Sequence, residues 1–306
     1  MNTWLEFYQH IPFHINPEIF RIGPFSIGWY AVSYIAAFVI VYGLLKKRLN
    51  NGECRNLFQS SNSRSLIKIK NRLRENGNNK ILFDFLLFCF LGLVIGARLG
   101  YVFFYNFSFY FSNPLAVISP FDFYTGKFIG IYGMSYHGGL IGVLIFGIIF
   151  TKNHKLSFWK ISDFIIPVVP AGYFFGRMGN FLNGELYGRV TEKWWGMYFP
   201  SSVETQLIAS LQLRHPSQLY EAFLEGFLLF IIFWNIRNKK IFQGKFLTLY
   251  LIGYALMRLV SEFFRQPDEQ IGFFFGSLTL GQLFSLLMFF FGLALFFWKK
   301  NKIVVQ

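Results

Sequence analysis

The sequence predicts an all-α, polytopic membrane protein with about seven transmembrane helices. Of its 306 residues, 54% are hydrophobic and only 14% are charged, a balance too apolar for a soluble domain. Apolar runs of about 20 residues, the length that crosses a bilayer, recur along the chain. The 29 lysines and arginines collect in alternate connections between those runs, as the loops of a membrane protein do.

The charge pattern also predicts an orientation. The seven predicted spans lie at about 25–45, 81–105, 132–150, 161–182, 219–236, 246–264 and 273–298. Twenty of the 29 basic residues lie in one set of alternate connections, and six lie in the other set. The positive-inside rule then puts the N-terminus outside and the C-terminus in the cytoplasm. Topology thus accounts for the net charge of +14, and no nucleic-acid partner is expected.

We expect residues 1–306 to form one integral-membrane domain. The connection 46–80 is basic and rich in Ser and Asn, which is typical of a cytoplasmic loop near anionic headgroups. The connection 183–218 is expected outside, and it carries site residues. The chain has no CxxC and no HExxH motif, and its two cysteines lie in unlike surroundings. The sequence therefore predicts no metal, no cofactor and no disulfide.

Each of the first three spans carries a notable side chain toward its outer end. The Tyr30 hydroxyl, in span one, either joins an interfacial aromatic belt or faces a polar interior. Arg98, in span two, either snorkels to headgroups or belongs to a site. His137 enters span three among glycines. A lone histidine there is a packing residue or a catalyst, and the polar groups of neighbouring spans at the same level favour the catalyst.

The most polar stretch follows span four, where a membrane helix should be leaving lipid. Residues 176–189 read Gly-Arg-Met-Gly-Asn-Phe-Leu-Asn-Gly-Glu-Leu-Tyr-Gly-Arg. A central arginine costs roughly 2.5–3.5 kcal/mol on insertion scales. Arg177, Asn180 and Glu185 therefore require partners or a wet cavity. We interpret this stretch as the floor of an active site.

Spans four and five carry proline and charge signals. Pro167 and Pro170 predict kinks in span four. Pro216 and Ser217 are helix-start signals, with Ser217 interpreted as a cap. Glu221 lies inside the apolar span that they open, so it needs a buried partner.

Span six carries three charges on one helical face. Arg258, Glu262 and Arg265 are spaced i, i+4 and i+7, and that spacing permits an intrahelical Arg258–Glu262 pair. Arg258 also lies at nearly the predicted depth of Arg177, which favours a shared site.

These polar groups converge on the outer leaflet. Arginine offers a permanent charge and a planar fork of donors that matches phosphate oxygens, which suits a phospholipid headgroup. Glycines along the same stretches allow backbones and a ligand to approach closely. The residues therefore predict a lipid-phosphate site that opens to the outer leaflet. No GxSxG motif occurs, so acyl-ester hydrolysis has no obvious nucleophile.

Four motifs stand in a characteristic order. They are Gly-Met-Ser-Tyr-His-Gly-Gly-Leu-Ile-Gly at 133–142, the stretch 176–189, His-Pro-Ser-Gln-Leu-Tyr-Glu at 215–221, and Arg-Leu-Val-Ser-Glu-Phe-Phe-Arg-Gln-Pro-Asp at 258–268. Over essentially the whole chain they resemble the motifs of bacterial prolipoprotein diacylglyceryl transferases. The chain departs from the usual pattern at Tyr136, where phenylalanine is common, and in its long first cytoplasmic loop.

The resemblance implies a reaction and a location. The diacylglyceryl group of phosphatidylglycerol passes to the lipobox cysteine of a prolipoprotein signal peptide, which forms a thioether and releases glycerol phosphate as the first step of lipoprotein maturation. The implied location is the bacterial cytoplasmic (inner) membrane, as a multi-pass protein among membrane lipids, with the active site toward the outer leaflet. The family has seven spans and an external N-terminus, as the charge count predicts independently.

The resemblance also implies roles for individual residues. His137 matches the essential histidine of the family, and Arg177 matches its phosphatidylglycerol-binding arginine. The expected catalytic residues are His137, Arg258, Glu262, Tyr30 and Glu185. The expected lipid-binding residues are Arg177, Asn180 and Arg258.

The implied chemistry is nucleophilic displacement by sulfur at the glycerol carbon that bears the phosphodiester. The thiolate should attack, and a free cysteine has a pKa of about 8.5, so a base such as His137 is useful. Arg177 and Arg258 can stabilise the departing phosphate, and the sequence leaves open which arginine does which.

Two other functions remain open. A lipid or anion transporter with the same arginine-lined site would need a polar path to the cytoplasmic side, and the inner halves of these spans hold little beyond Asp163 and Glu225. A phospholipid headgroup transferase would typically show metal-binding carboxylate clusters, which the sequence lacks.

Overall fold

The computed structural model is mostly helical, as the sequence predicts. It describes residues 3–23, 25–53, 67–104, 106–119, 121, 126, 133–200, 212–267, 273–274 and 278–303. Parts of the predicted loop 46–80 and of the connection 183–218 lie outside these residues, as does Asp268. The chain divides into two compact units, one of Met1–Leu45 with Ser162–Gln306 and one of Lys46–Ile161.

Helices make up most of the described chain. In chain order they are α1 (Thr3–Gln9), α2 (Ile11–His14), α3 (Trp29–Asn50), α4 (Ile67–Phe104), α5 (Phe107–Ser112), α6 (Tyr136–Asn153), α7 (Phe158–Ile165), α8 (Val169–Leu182), α9 (Ser217–Glu221), α10 (Leu229–Ile236), α11 (Phe246–Glu262) and α12 (Leu280–Ile303). Two antiparallel strand pairs join β1 (Glu18–Ile22) to β2 (Phe25–Gly28) and β3 (Phe273–Phe274) to β4 (Leu278–Thr279). A π-helical segment, Ala222–Leu228, connects α9 to α10.

Helix occupies most of each of the seven predicted spans. Four helical stretches of the described residues are long and apolar enough to cross a membrane, namely Trp29–Asn50, Asn79–Phe104, Ser217–Ile236 and Leu280–Trp298. The other three predicted spans hold α6, the pair α7 and α8, and α11. Pro167 lies in the 3-10 turn Ile166–Val168 between α7 and α8, so the predicted kink is confirmed.

Two helices begin well away from their predicted starts. Helix α4 begins at Ile67 rather than near 81, because a helix outside lipid needs no apolar run and residues 67–80 are rich in good helix formers. Helix α12 begins at Leu280 rather than near 273. Its start is set by a capping box, in which the Gln282 N–H donates to the Thr279 hydroxyl and the Thr279 N–H donates to Gln282 Oε1.

In the unit Lys46–Ile161, helices α4 and α6 pack backbone against backbone. A Cβ placed on Gly142 would lie 2.0 Å from the carbonyl oxygen of Gly92, and one on Gly138 would lie 2.3 Å from that of Gly96. Only glycine allows helices to approach this closely. This glycine seam, formed by Gly92, Gly96, Gly138 and Gly142, therefore fixes the position of α6 against α4. Helix α6 carries His137.

Arg98 has a structural role in the same unit. Its guanidinium donates to the carbonyl oxygens of Val117 at 2.7 Å, Ala116 at 2.8 Å and Gly133 at 3.3 Å. The side chain also lies over the Tyr110 ring, 5.0 Å from its centroid. The snorkelling interpretation is therefore wrong, because protein carbonyls rather than headgroups take up these donors.

Two apolar clusters lie among the described residues of the other unit. One joins α10 to α11 through Leu229, Phe233 and Phe246, and the other joins the end of α8 to the following loop through Phe181, Met197 and Phe199. At the start of α11, Asp163 accepts hydrogen bonds from the backbone N–H groups of Gly244 and Phe246. These contacts fix α7, α8, α10 and α11 around the polar residues between them.

Candidate active site

A buried carboxylate, Glu221, lies at the centre of the polar cluster. Its Oε1 lies 3.0 Å from Arg258 Nη1 and accepts a 3.1 Å hydrogen bond from Arg265 Nη1. Its Oε2 lies 2.7 Å from Arg177 Nε. Glu221 is fully buried, whereas each of the three arginine side chains keeps 13–14% of its surface exposed. One carboxylate therefore holds together three cations that would otherwise repel one another.

Several of these contacts are ion pairs without hydrogen-bond alignment. The Arg177 Nε–H is directed at the Tyr173 hydroxyl, 2.8 Å away, so its contact with Glu221 is electrostatic. Glu221 Oε2, Arg258 Nη1 and Glu262 Oε2 are buried and have no hydrogen-bond partner among the described residues. Each of these atoms nevertheless lies within 3.0 Å of an oppositely charged atom, so charge rather than aligned hydrogen bonding holds this part of the cluster together.

An irregular helix places Glu221 in the cluster. The residue ends the short α9, and the π-helical segment follows it; π segments inside α-helices occur frequently at functional sites. The cap interpretation of Ser217 is wrong, because the residue before it, Pro216, occupies the N-cap position. The Ser217 hydroxyl donates instead to the Leu186 carbonyl at 3.1 Å, and Gln218 Nε2 donates to the Glu185 carbonyl at 2.7 Å. Helix α9 is thereby tied to the loop after α8.

The end of α8 carries a linear set of hydrogen bonds. Arg177 Nη1 donates to Asn180 Oδ1 at 3.3 Å, and Asn180 Nδ2 donates to Glu185 Oε1 at 2.7 Å. The backbone N–H of Glu185 also returns to the Asn180 carbonyl at 3.1 Å. Asn180 therefore connects the arginine to the carboxylate of the following turn, as the polar stretch 176–189 predicts.

Arg258 and Glu262 lie on the opposite side of Glu221. Arg258 Nη2 lies 2.6 Å from Glu262 Oε2, so the predicted intrahelical pair is confirmed together with the link to Glu221. The Thr279 hydroxyl donates to Glu262 Oε1 at 3.0 Å. A Cβ on Gly281 would lie 2.5 Å from that oxygen, so a larger residue there would displace the Glu262 carboxylate from its present position.

The loop after α8 is held by backbone contacts. The Gly188 N–H donates to the His215 carbonyl at 2.8 Å, and the Arg189 N–H donates to the Phe264 carbonyl at 2.9 Å. A Cβ on Gly188 would lie 2.3 Å from the Phe264 oxygen. Arg189 Nε donates to the Arg265 carbonyl at 3.0 Å. These contacts join the end of α11 to the loop and keep Arg265 beside Glu221.

His215 serves packing within this loop. Its Nδ1 lies 3.1 Å from the Tyr220 hydroxyl, and its ring packs against Phe264 with centroids 5.1 Å apart. Burial, and then the charge of Lys193, lower the pKa of His215, so the imidazole is neutral near pH 7.

One predicted residue, Tyr30, lies outside this hydrogen-bonded set. Tyr30 is 37% exposed, and its hydroxyl lies 3.0 Å from that of Tyr34. Its ring lies against α8, 3.6 Å from the position of a Cβ on Gly179. His137 is the second residue of α6, which Ser135 caps by accepting the Gly138 N–H. The side chain of His137 is not among those described, so its place beside the arginines stays a prediction.

The sequence does not single out two residues that contact these arginines. It predicts Glu225 in the inner half of its span and Tyr173 within an apolar run. The signal for Glu225 was its spacing of four residues from Glu221, which puts both carboxylates on one helical face. Among the described residues, no group of three His, Cys, Asp or Glu side chains is arranged to hold a metal ion.

Comparisons with known proteins place the chain in one family. A family model described as prolipoprotein diacylglyceryl transferase matches residues 17–298. A Chlorobaculum tepidum protein named phosphatidylglycerol–prolipoprotein diacylglyceryl transferase is 43% identical to the chain, over 98% of this chain and 94% of its own length. Proteins of the same name from Rickettsia bellii and Campylobacter lari are 43% and 39% identical, over 92% and 97% of this chain and 94% and 98% of their own lengths. All the polar residues described above lie within the matched region.

Proposed function

This chain belongs to the prolipoprotein diacylglyceryl transferase family, and we propose that it transfers the diacylglyceryl group of phosphatidylglycerol to a prolipoprotein. It is a transferase of lipoprotein biosynthesis. The acceptor is the thiol of the lipobox cysteine in the signal peptide. The products are a thioether-linked diacylglyceryl lipoprotein and glycerol phosphate.

The arginine cluster around Glu221 is the observation that carries this proposal. Three guanidinium groups stand next to one another, each largely buried but with an exposed edge. Arg177 keeps 14% of its side-chain surface exposed, so part of its fork is available to a phosphate oxygen. Because Glu221 holds the arginines in the absence of ligand, little reorganisation is required when negative charge develops on the leaving phosphate.

The reaction forms one C–S bond and breaks one C–O bond. The cysteine sulfur attacks the glycerol carbon that bears the phosphodiester, and the electron pair of the broken C–O bond leaves with glycerol phosphate. His137 takes the thiol proton as general base. Arg177, with Asn180, binds the phosphate of the incoming lipid, and Arg258 stabilises the charge on the leaving group. Glu185 and Glu262 hold these groups in place, and the Tyr30 ring packs against Gly179 on the helix that carries Arg177.

The proposed location is the bacterial cytoplasmic membrane. The chain would cross it seven times, with the N-terminus outside and the site toward the outer leaflet. The twenty-to-six asymmetry of basic residues supports this orientation. A site on that side faces the signal peptide of an exported prolipoprotein.

A direct test uses purified protein in phosphatidylglycerol-containing micelles. A lipobox peptide should gain the mass of one diacylglyceryl group on its cysteine, and a peptide with serine at that position should gain none. Release of glycerol phosphate should match the adduct mole for mole. Movement of lipid or anion across a vesicle without any adduct would support a transporter instead and would reject the proposal.

A further inference from the structure

A second polar cluster lies next to the arginines, and the chemistry proposed above does not use it. It consists of Tyr173 on α8, Glu225 in the π-helical segment and Ser261 on α11. Glu225 and Ser261 are fully buried. An ionisable group at such a position in a membrane helix is expensive and usually functional, so this cluster requires an explanation beyond packing.

On the α8 side of this cluster, the donor and the acceptor of each hydrogen bond are determined. Arg177 Nε donates to the Tyr173 hydroxyl at 2.8 Å, and that hydroxyl donates to Glu225 Oε2 at 2.5 Å. A hydroxyl has a single proton, and the arginine can only donate. The Tyr173 proton therefore has to point at Glu225, which leaves the tyrosine oxygen to accept from the arginine and so fixes the position of Nε.

The other oxygen of Glu225 faces the second arginine. Oε1 lies 3.8 Å from Arg258 Nη1 and accepts a 2.5 Å hydrogen bond from the Ser261 hydroxyl. The same hydroxyl lies 3.1 Å from the backbone carbonyl of Arg258. Each carboxylate oxygen of Glu225 thus faces one of the two arginines. Oε2 is linked to Arg177 through the Tyr173 hydroxyl, and Oε1 faces Arg258 directly.

Backbone packing keeps these side chains in register. A Cβ placed on Gly226 would lie 2.7 Å from Cα of Phe174, so the residue after Glu225 touches the residue after Tyr173. Close backbone contact of this kind prevents the π-helical segment from sliding along α8. The distance between Tyr173 and Glu225 is therefore set by the backbone rather than by flexible side chains.

We infer that Glu225, Tyr173 and Ser261 are positioning residues that set the spacing and orientation of Arg177 and Arg258 for the lipid phosphate. They act through the arginines and do not touch substrate. Because Tyr173 bonds to Arg177, its hydroxyl affects recognition of the lipid and leaves recognition of the peptide unchanged. This inference rests on the proposed function, since it names residues that support the same phosphate site.

The test compares Tyr173→Phe and Glu225→Gln with the parent in the peptide-modification assay. Tyr173→Phe keeps the ring beside Arg177 and removes only the hydroxyl. We expect it to raise the KM for phosphatidylglycerol about tenfold while the KM for the lipobox peptide changes less than about twofold. Tyr8→Phe is the matched control, because its hydroxyl donates to the Trp195 carbonyl at 3.1 Å in the loop beyond the cluster; its kinetics should equal those of the parent.

A double variant separates positioning from packing. If Tyr173 and Glu225 act through the same chain of hydrogen bonds, their effects should not add. The double variant Tyr173→Phe with Glu225→Gln should then have a KM for phosphatidylglycerol no more than about twofold above that of the more impaired single variant. Independent effects that multiply, or equal rises in both KM values, would overturn the inference. Parent-like kinetics of Tyr173→Phe would also overturn it, even where Glu225→Gln fails to fold. Absence of any adduct from the parent protein would instead reject the proposed function.

Discussion

Glu221 is the residue on which the arginine cluster depends, because its one carboxylate lies within 3.1 Å of three guanidinium groups. Its position inside an apolar span required a buried partner, but the helical period gives only the face on which a side chain lies, not the number of neighbours opposite it. Three arginines meet it. Tyr173 was missed because tyrosine in an apolar run is usually a packing residue, and Glu225 was missed because depth along the helix suggested the inner half.

The central position of Glu221 leads to a prediction about stability. Glu221→Gln keeps the shape of the side chain but removes the charge that offsets three buried arginines. Breaking a buried ion pair costs about 3–5 kcal/mol, so the variant should unfold at a clearly lower temperature in detergent and lose activity. Glu18→Gln is the control, since Glu18 pairs with Arg21 at 3.3 Å on the exposed surface and should have little effect. An unchanged unfolding temperature for Glu221→Gln would contradict the central role.

His137 leads to a prediction about pH. His137→Gln keeps the bulk and one hydrogen bond but cannot accept a proton, so the thiol of the substrate has to ionise unaided. The residual turnover of this variant should climb with pH toward the free-thiol pKa of about 8.5, while turnover of the parent levels off earlier. The measurement is kcat against pH for both proteins. Profiles of the same shape would show that His137 is not the base.

At the scale of helices, the sequence predicts a boundary correctly where a particular residue, such as a proline, marks it. Proline at 167 predicts the break between α7 and α8, and the break is there. Hydropathy does not mark the start of α4, because residues 67–80 are largely polar. A hydropathy pattern reports contact with lipid rather than helix formation. The π-helical segment Ala222–Leu228 has an ordinary helical sequence, so no local signal marks it, and it packs against α8 and α11.

The glycine seam between α4 and α6 leads to a prediction at the same scale. In Gly142→Ala the new Cβ would lie 2.0 Å from the Gly92 carbonyl oxygen, so the helices have to separate, at a cost of roughly 1–3 kcal/mol. Gly43→Ala is the matched control, because a Cβ at that helical position meets nothing within 4 Å and alanine should stabilise the helix slightly. Thermal unfolding of the two variants in detergent measures the difference. Equal unfolding temperatures would mean that close packing of α4 on α6 does not stabilise the unit.

At the scale of the whole molecule, the sequence predicts how the chain crosses the membrane. Basic residues are distributed by the membrane potential and by insertion rather than by packing, so their pattern can be read without coordinates. The assembly of the arginine cluster from α8, the α9–π segment and α11 depends on side-chain contacts between elements distant in the chain, which no local pattern encodes. The site prediction rests on the order of the sequence motifs, because helical periodicity alone does not locate a site.

The orientation of the chain is tested by cysteine accessibility. In a background of Cys54→Ser and Cys89→Ala, Glu192→Cys and Asn238→Cys each introduce one thiol at an exposed position, and neither removes a basic residue. Glu192 follows α8 on the side expected outside, and Asn238 lies between α10 and α11 on the side expected inside. A membrane-impermeant maleimide should label Glu192→Cys on intact spheroplasts and label Asn238→Cys only after permeabilisation. Because one orientation rule predicts both results, the reverse pattern would reject the proposed topology and, with it, a site that opens to the outer leaflet.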